Sequence, residues 1–300
     1  MNKRALLLSV GGLLSMAAAM GVGRFVYTPI LPPMVEALSL SKSQAGLIAS
    51  ANFLGYLAGA ILAAVRLPGS RRFWLLASLA ATATCLFGMG LATGMSAFLG
   101  LRFVAGAASA FALIFSSALV IDRLAATGNS ALSAVHFAGV GTGIAVSAAL
   151  VALLLQAGAA WTTLWFASAA VAAAASLAVV WLVTPDDRAI QSMHARTGLQ
   201  LSADFVALLL AYGLFGFGYV ITATFIVDMV RGTASLAHLE PYVWRLFGLC
   251  AVPSVALWTA LGRRWGVLRI YAVACIVEAA GVAASALWLH PASIVISAIF

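Results

Sequence analysis

Long apolar runs separated by short polar breaks organise this chain from one end to the other. The runs cover residues 5–37, 43–65, 73–93, 97–121, 130–155, 160–183, 204–229, 242–261 and 267–289, and a further apolar segment starts at Pro291. A bilayer demands ~20 apolar residues for each helical crossing. In hydrocarbon the backbone amides have no water to bond, so runs of this length are satisfied as helices. The pattern predicts an all-α, polytopic membrane helical bundle with about nine complete transmembrane helices and the start of a tenth. Composition agrees: hydrophobic residues make up 64% of the 300 and charged residues 8%, and the mean hydropathy is +1.10.

The polar breaks carry a one-sided charge. Lys3 and Arg4 precede the first run, Arg66, Arg71 and Arg72 fall between the second and third, and Arg123 follows the fourth. Arg188 and Arg196 lie in the mid-chain loop, and Arg263, Arg264 and Arg269 follow the eighth run. The opposite side has little beyond Lys42 and Arg231. Cytoplasmic loops collect Lys and Arg, so this asymmetry predicts a cytoplasmic N-terminus. The net charge of +8 therefore reflects insertion topology and not nucleic-acid binding. Lys3-Arg4 and the apolar stretch after it imitate a secretory signal, but the run continues to Leu38, longer than a signal core. Cys85, Cys250 and Cys275 each lie within an apolar run with no metal-ligand or redox spacing, and read as small core residues.

The break from Thr184 to Ser202 is longer and more polar than the others. It divides the chain into an N-terminal six-helix bundle (1–184), a cytoplasmic linker (185–203) and an incomplete C-terminal bundle (204–300). The last run reaches Phe300 without a loop, charge or cap, so the expectation is a reading frame that continues into further helices. The two parts echo each other. Gly21-Val22-Gly23-Arg24-Phe25 aligns with Gly216-Phe217-Gly218-Tyr219-Val220 at an offset of 195, and Arg66–Gly69 with Arg263–Gly266 at 197. These matches point to a parallel repeat of six plus six helices.

On these residues the sequence resembles the major facilitator superfamily, and within it the bacterial group labelled YbfB/YjiJ-like. The segment from Gly21 to Met34 carries the strongest likeness. Gly69, Arg71 and Arg72 fit the second half of the superfamily's loop motif after helix two, while Arg66 occupies its acidic position. Arg102 through Ala110 resembles the R-x-x-x-G-x-x-x-A pattern of proton-coupled antiporters, and Gly139, Gly141 and Gly143 resemble a glycine-rich antiporter motif without its proline. The resemblance implies the major facilitator fold and alternating access around a midplane site. It also implies protons as the coupling ion and export as the direction.

Arg24 is the outstanding polar position, some nineteen residues into the first helix. An arginine at bilayer depth costs at least ~2.5–3.5 kcal/mol, so it faces a cavity or a partner. It either binds an anionic or carbonyl-bearing substrate or pairs with a carboxylate of another helix. Tyr27, Asn52 and Tyr219 rank next as pocket-shaping groups, ahead of Tyr212, Thr222 and Arg245. By resemblance Arg102 assists proton exchange, with Glu36 the nearest carboxylate in depth; by physics alone it snorkels to the interface. Glu278 is either a proton carrier or a structural group on a peripheral helix. Asp122 with Arg66 and Arg71 offers a cytoplasmic gate, or a plain topology anchor. His136 reads as a hydrogen-bonded packing residue, and Trp161 and Trp165 as an interfacial belt.

There is no H-E-x-x-H, no phosphate-binding G-x-x-x-x-G-K-[ST] and no paired Cys or His set for a metal. The expectation is no enzyme, no cofactor and no metal. The chain reads as a secondary active transporter of a small organic solute, with protons and membrane lipid as its other partners. A membrane sensor or scaffold that kept the transporter fold is the alternative.

Overall fold

The computed structural model describes residues 3–65, 67–184, 202–288 and 290–300. Within these, the first crossing is built in three parts: α1 (Lys3–Met16), a six-residue π-helical segment (Ala17–Val22) and α2 (Tyr27–Leu38). Then follow α3 (Lys42–Ala63), α4 (Arg71–Leu91), α5 (Met95–Ala126), α6 (Ser133–Gln156) and α7 (Trp161–Leu182). The chain continues with α8 (Ala203–Gly232), α9 (Glu240–Trp265), α10 (Val267–Leu287) and α11 (Pro291–Ile299). Nine of the described helical stretches are long and apolar enough to cross a membrane. Arg66 and nearly all of the proposed linker 185–203 lie outside the described residues, as do Arg188, His194 and Arg196 within it.

Helix ends follow local chemistry. Ser41 and Gln44 form a reciprocal capping box, with Gln44 N–H donating to Ser41 Oγ at 3.2 Å and Ser41 N–H to Gln44 Oε1 at 2.8 Å. Ser70 and Ser202 cap α4 and α8 in the simpler way. α5 runs past the expected end at 121 to Ala126, and Arg123 lies in its last turn, where a cation complements the helix dipole. Arg72 donates to the Val183 and Val180 carbonyls at the end of α7, each at 2.7 Å, and so ties the start of α4 to α7.

Glycine sets the helix spacing. At Gly55 a Cβ would lie 1.9 Å from the Phe103 carbonyl oxygen, and at Gly106 it would lie 2.0 Å from that of Asn52, so α3 and α5 meet backbone to backbone. On α6, Gly139 and Gly143 face the first crossing while Gly141 faces Gly248 and Val252 of α9. Small residues that allow such approach are the usual device for packing helices in lipid, where burial of apolar surface gives no preference between helices. His136 is buried against Gly12 and shares a hydrogen bond with Ser117 Oγ at 3.2 Å, as a packing residue does. Trp165 departs from the expected interfacial belt. It is fully buried, with its ring centroid 6.4 Å from that of Tyr27.

Helices α1–α7 pack as one group and α8–α11 as another, joined where α6 lies on α9 and α2 lies on α8. Among the described residues, polar contacts cross between the groups at two places. Thr28 Oγ1 donates to the Ala223 carbonyl at 2.9 Å, and Arg231 pairs with Glu36 at 2.7 Å. Both link residues 195 positions apart, the offset at which Gly21–Phe25 aligns with Gly216–Val220. Both lie in the half of the crossing toward Glu36. Toward Lys3, the described part of α8 from Ala203 to Leu214 is exposed and does not pack closely on α1.

Candidate functional site

Arg24 owes its setting to a break in the helix ladder. Gly23 N–H donates to the Ala18 carbonyl at 2.9 Å and Phe25 N–H to that of Met20 at 3.2 Å, five-residue steps that wind the segment wide. Pro29 has no N–H, and Thr28 N–H turns to the Phe25 carbonyl at 3.3 Å. The Arg24 carbonyl is left over from the ladder and receives Arg102 Nη2 at 3.3 Å. The same wide turn carries the Arg24 side chain away from lipid, and the residue is 8% exposed.

The Arg24 guanidinium carbon lies 4.3 Å from the ring centroid of Tyr56, 4.9 Å from Phe53 and 5.5 Å from Phe25. Each aromatic face attracts the cation, by ~0.5–2 kcal/mol depending on desolvation. No carboxylate among the described residues pairs with it, and Arg24 Nε is buried with no hydrogen-bond partner among them. The structural-pair reading of Arg24 therefore has no partner among the described residues. Of the residues around it, Tyr56 and Phe53 were not legible as site residues. The signal was available: Tyr56 follows Asn52 by four positions and so shares its helix face.

Arg102 lies directly behind. It is 3% exposed, its guanidinium sits 4.8 Å from the Tyr27 ring, and its Nε and Nη1 lack partners among the described residues. It does not snorkel. Asn52 is fully buried and donates from Nδ2 to the Arg102 carbonyl at 3.0 Å, pinning α3 to α5 beside the site. The Tyr27 hydroxyl donates to the Ala45 carbonyl at 2.9 Å, so this side chain acts as a wall with its polar end engaged. From the other helix group comes Tyr219, half-buried and within electrostatic reach of Arg24.

The remaining predicted residues lie elsewhere. Glu36 does not approach Arg102. It stands twelve residues beyond Arg24 along the first crossing, and Arg231 takes it at 2.7 Å and also reaches Glu240 at 3.6 Å. Arg71 and Asp122 form an ion pair at 2.8 Å, but both belong to the α1–α7 group, so the pair joins α4 to α5 and does not cross between groups. Glu278 on α10 abuts Gly218 of α8, where a Cβ would lie 3.0 Å from its Oε1. No cluster of three metal-ligating side chains occurs among the described residues.

Among the described residues, nine helical stretches long and apolar enough to cross a membrane pack in two groups, the architecture of a polytopic membrane protein. The chain belongs to the major facilitator superfamily, in the family described as uncharacterised MFS-type transporter YbfB, whose sequence profile matches residues 16–300. Among curated proteins none matches by sequence. The fold is similar to that of the nucleoside transporter NupG (TM-score 0.67, 15% identity, covering 99% of this chain and 78% of NupG). It is also similar to that of a bacterial homologue of the human lysosomal transporter Spinster in an inward-facing, unoccupied conformation (TM-score 0.63, 17% identity, covering 100% and 73%). At these identities the likeness concerns the fold.

Proposed function

We propose that the protein carries a small organic solute with an anionic or carbonyl group across the bacterial inner membrane by alternating access, with Arg24 as its anchor. The observation that carries this reading is the buried guanidinium of Arg24, held by three aromatic rings and paired with no carboxylate among the described residues. A buried cation without a counter-ion is costly, and an anionic ligand relieves the cost. Tyr27 and Asn52 shape the site from one group and Tyr219 from the other.

With the N-terminus in the cytoplasm, the closed Glu36 end faces outward and the open Lys3 end faces inward. Arg71 and Asp122 then fix the inner edge of one group, against which the other closes. Proton coupling and export rest on the antiporter-like residues of α5, with Arg102 tuning proton exchange and Glu278 as a carboxylate able to hold a proton. Proton release on adding substrate to the purified protein tests the coupling; none near neutral pH counts against it.

The Glu36–Arg231 contact yields a separate prediction. Its side chains are 73% and 35% exposed, and such pairs contribute only ~0–1 kcal/mol. Glu36→Gln should therefore raise the population open at that end by about fivefold at most. The check is labelling of a cysteine placed at Val227, a buried position there, by an impermeant maleimide. A rate raised by more than about tenfold would contradict this small contribution.

A further inference from the structure

Three neighbouring residues where α3 and α5 meet the kink of the first crossing hold four buried polar atoms without a hydrogen-bond partner among the described residues. They are Arg24 Nε, Arg102 Nε and Nη1, and Asn52 Oδ1. Three are donors and one is an acceptor, so the cluster is short of acceptors, which an anion supplies. Arg102 is the deeper of the two cations, at 3% exposure against 8%. Its helix α5 packs on α1, the π-helical segment, α3, α4 and α6, so its burial comes from helices of the first group that lie whole within the chain. No carboxylate among the described residues pairs with it. Its Nη2 reaches the Arg24 carbonyl at 3.3 Å, a neutral acceptor at long range.

We propose that Arg102 is a second anion anchor and that the transported solute is a small dicarboxylate, with one carboxylate on Arg24 and the other on Arg102. This rests on the reading of Arg24 as an anion anchor. The two guanidiniums sit on different rings, Arg24 on Tyr56 and Phe53 and Arg102 on Tyr27, so they ask for two charges set apart on one solute. They lie within electrostatic reach of each other, and like charges withdrawn from water repel strongly. A dianion offsets both charges and their repulsion together. The exchange at Arg102 is favourable, because a carboxylate makes a shorter, charge-assisted bond about twice as strong as one to a neutral carbonyl. It also frees the Arg24 carbonyl, the contact that ties α5 to the kink, so the second charge loosens the first crossing where its ladder breaks. A carboxyl held by Arg102 gives up its proton more readily, which gives the tuning of proton exchange a physical route.

The test is equilibrium binding of two probes to the whole chain in lipid nanodiscs: succinate, and succinamate, in which an amide of the same shape replaces one carboxylate. Succinate should bind about tenfold tighter or more. Arg102→Gln should bring succinate down to the level of succinamate and leave succinamate unchanged, and that retained binding shows the variant is folded. Arg102→Lys, which keeps the charge, should retain part of the preference. Equal binding of the two probes by the parent, a preference that survives Arg102→Gln, or saturation by neither probe overturns the dicarboxylate. Equal binding that is lost in Arg24→Ala removes the second charge and leaves the Arg24 reading standing. A preference for succinate that Arg102→Gln removes and Arg24→Ala does not touch overturns the Arg24 reading and leaves Arg102 as an anion site.

Discussion

Gly106→Ala unfolds or severely destabilises this protein, by about 3 kcal/mol, the upper end of the usual overpacking range. The added methyl would sit 2.0 Å from the Asn52 carbonyl oxygen and 2.8 Å from the Tyr56 backbone nitrogen. Both obstacles are backbone, so no rotamer change relieves them and α3 must move bodily away from α5. That movement also strains the backbone contacts at Gly55 and Gly59 on the same seam. It pulls Asn52 Nδ2 from the Arg102 carbonyl, so any folded remnant has a displaced Arg102. The matched control is Gly100→Ala on the same helix, where nothing lies within 4 Å of the new methyl. There the better helix propensity of alanine should leave stability unchanged or raised by up to ~1 kcal/mol. Thermal unfolding midpoints in detergent decide the matter, and equal midpoints for the two variants would contradict the backbone seam.

Arg24→Ala should lower kcat/KM for transport by about 100-fold, since losing a charged partner in a buried site costs ~2–5 kcal/mol. The size follows from burial. Water does not screen the guanidinium, and Arg102 behind it is held by Nη2 on the Arg24 carbonyl and by its place over the Tyr27 ring. Arg24→Lys should fall between, about 10-fold down, because an ammonium keeps the charge but loses the planar stack on Tyr56 and Phe53. Neither substitution touches a tight backbone contact, so both variants should fold, as melting curves will show. Transport at the parent's rate in both would remove Arg24 from the site.

The crossings were legible because hydropathy reports depth: a run that spans a bilayer is apolar whichever face it presents. The same fact explains what was not legible. Lipid-facing and core-facing positions are both apolar here, so sequence fixes how deep a residue lies but not which way it points. Trp165 shows the ambiguity, since its depth suits an interfacial belt, yet its direction places it against Tyr27 in the core. Depth alone matches Glu36 with Arg102; direction gives it to Arg231 instead. Direction became readable only where an independent pattern constrained it. The 195-residue offset drawn from Gly21–Phe25 reappears as the spacing of the Thr28–Ala223 and Glu36–Arg231 contacts. The π-helical turn before Arg24 left no such mark, because its cause is distributed among Gly23, Pro29 and the packing of both.

The central claim is that the protein transports a solute by virtue of a negative charge held at Arg24. Its most direct test is flux into proteoliposomes, comparing a small organic carboxylate with its uncharged amide of the same shape. The account predicts saturable, gradient-dependent flux of the carboxylate, with the amide carried at least tenfold more slowly. Equal flux of the two, or no saturable flux of any organic acid, would contradict it.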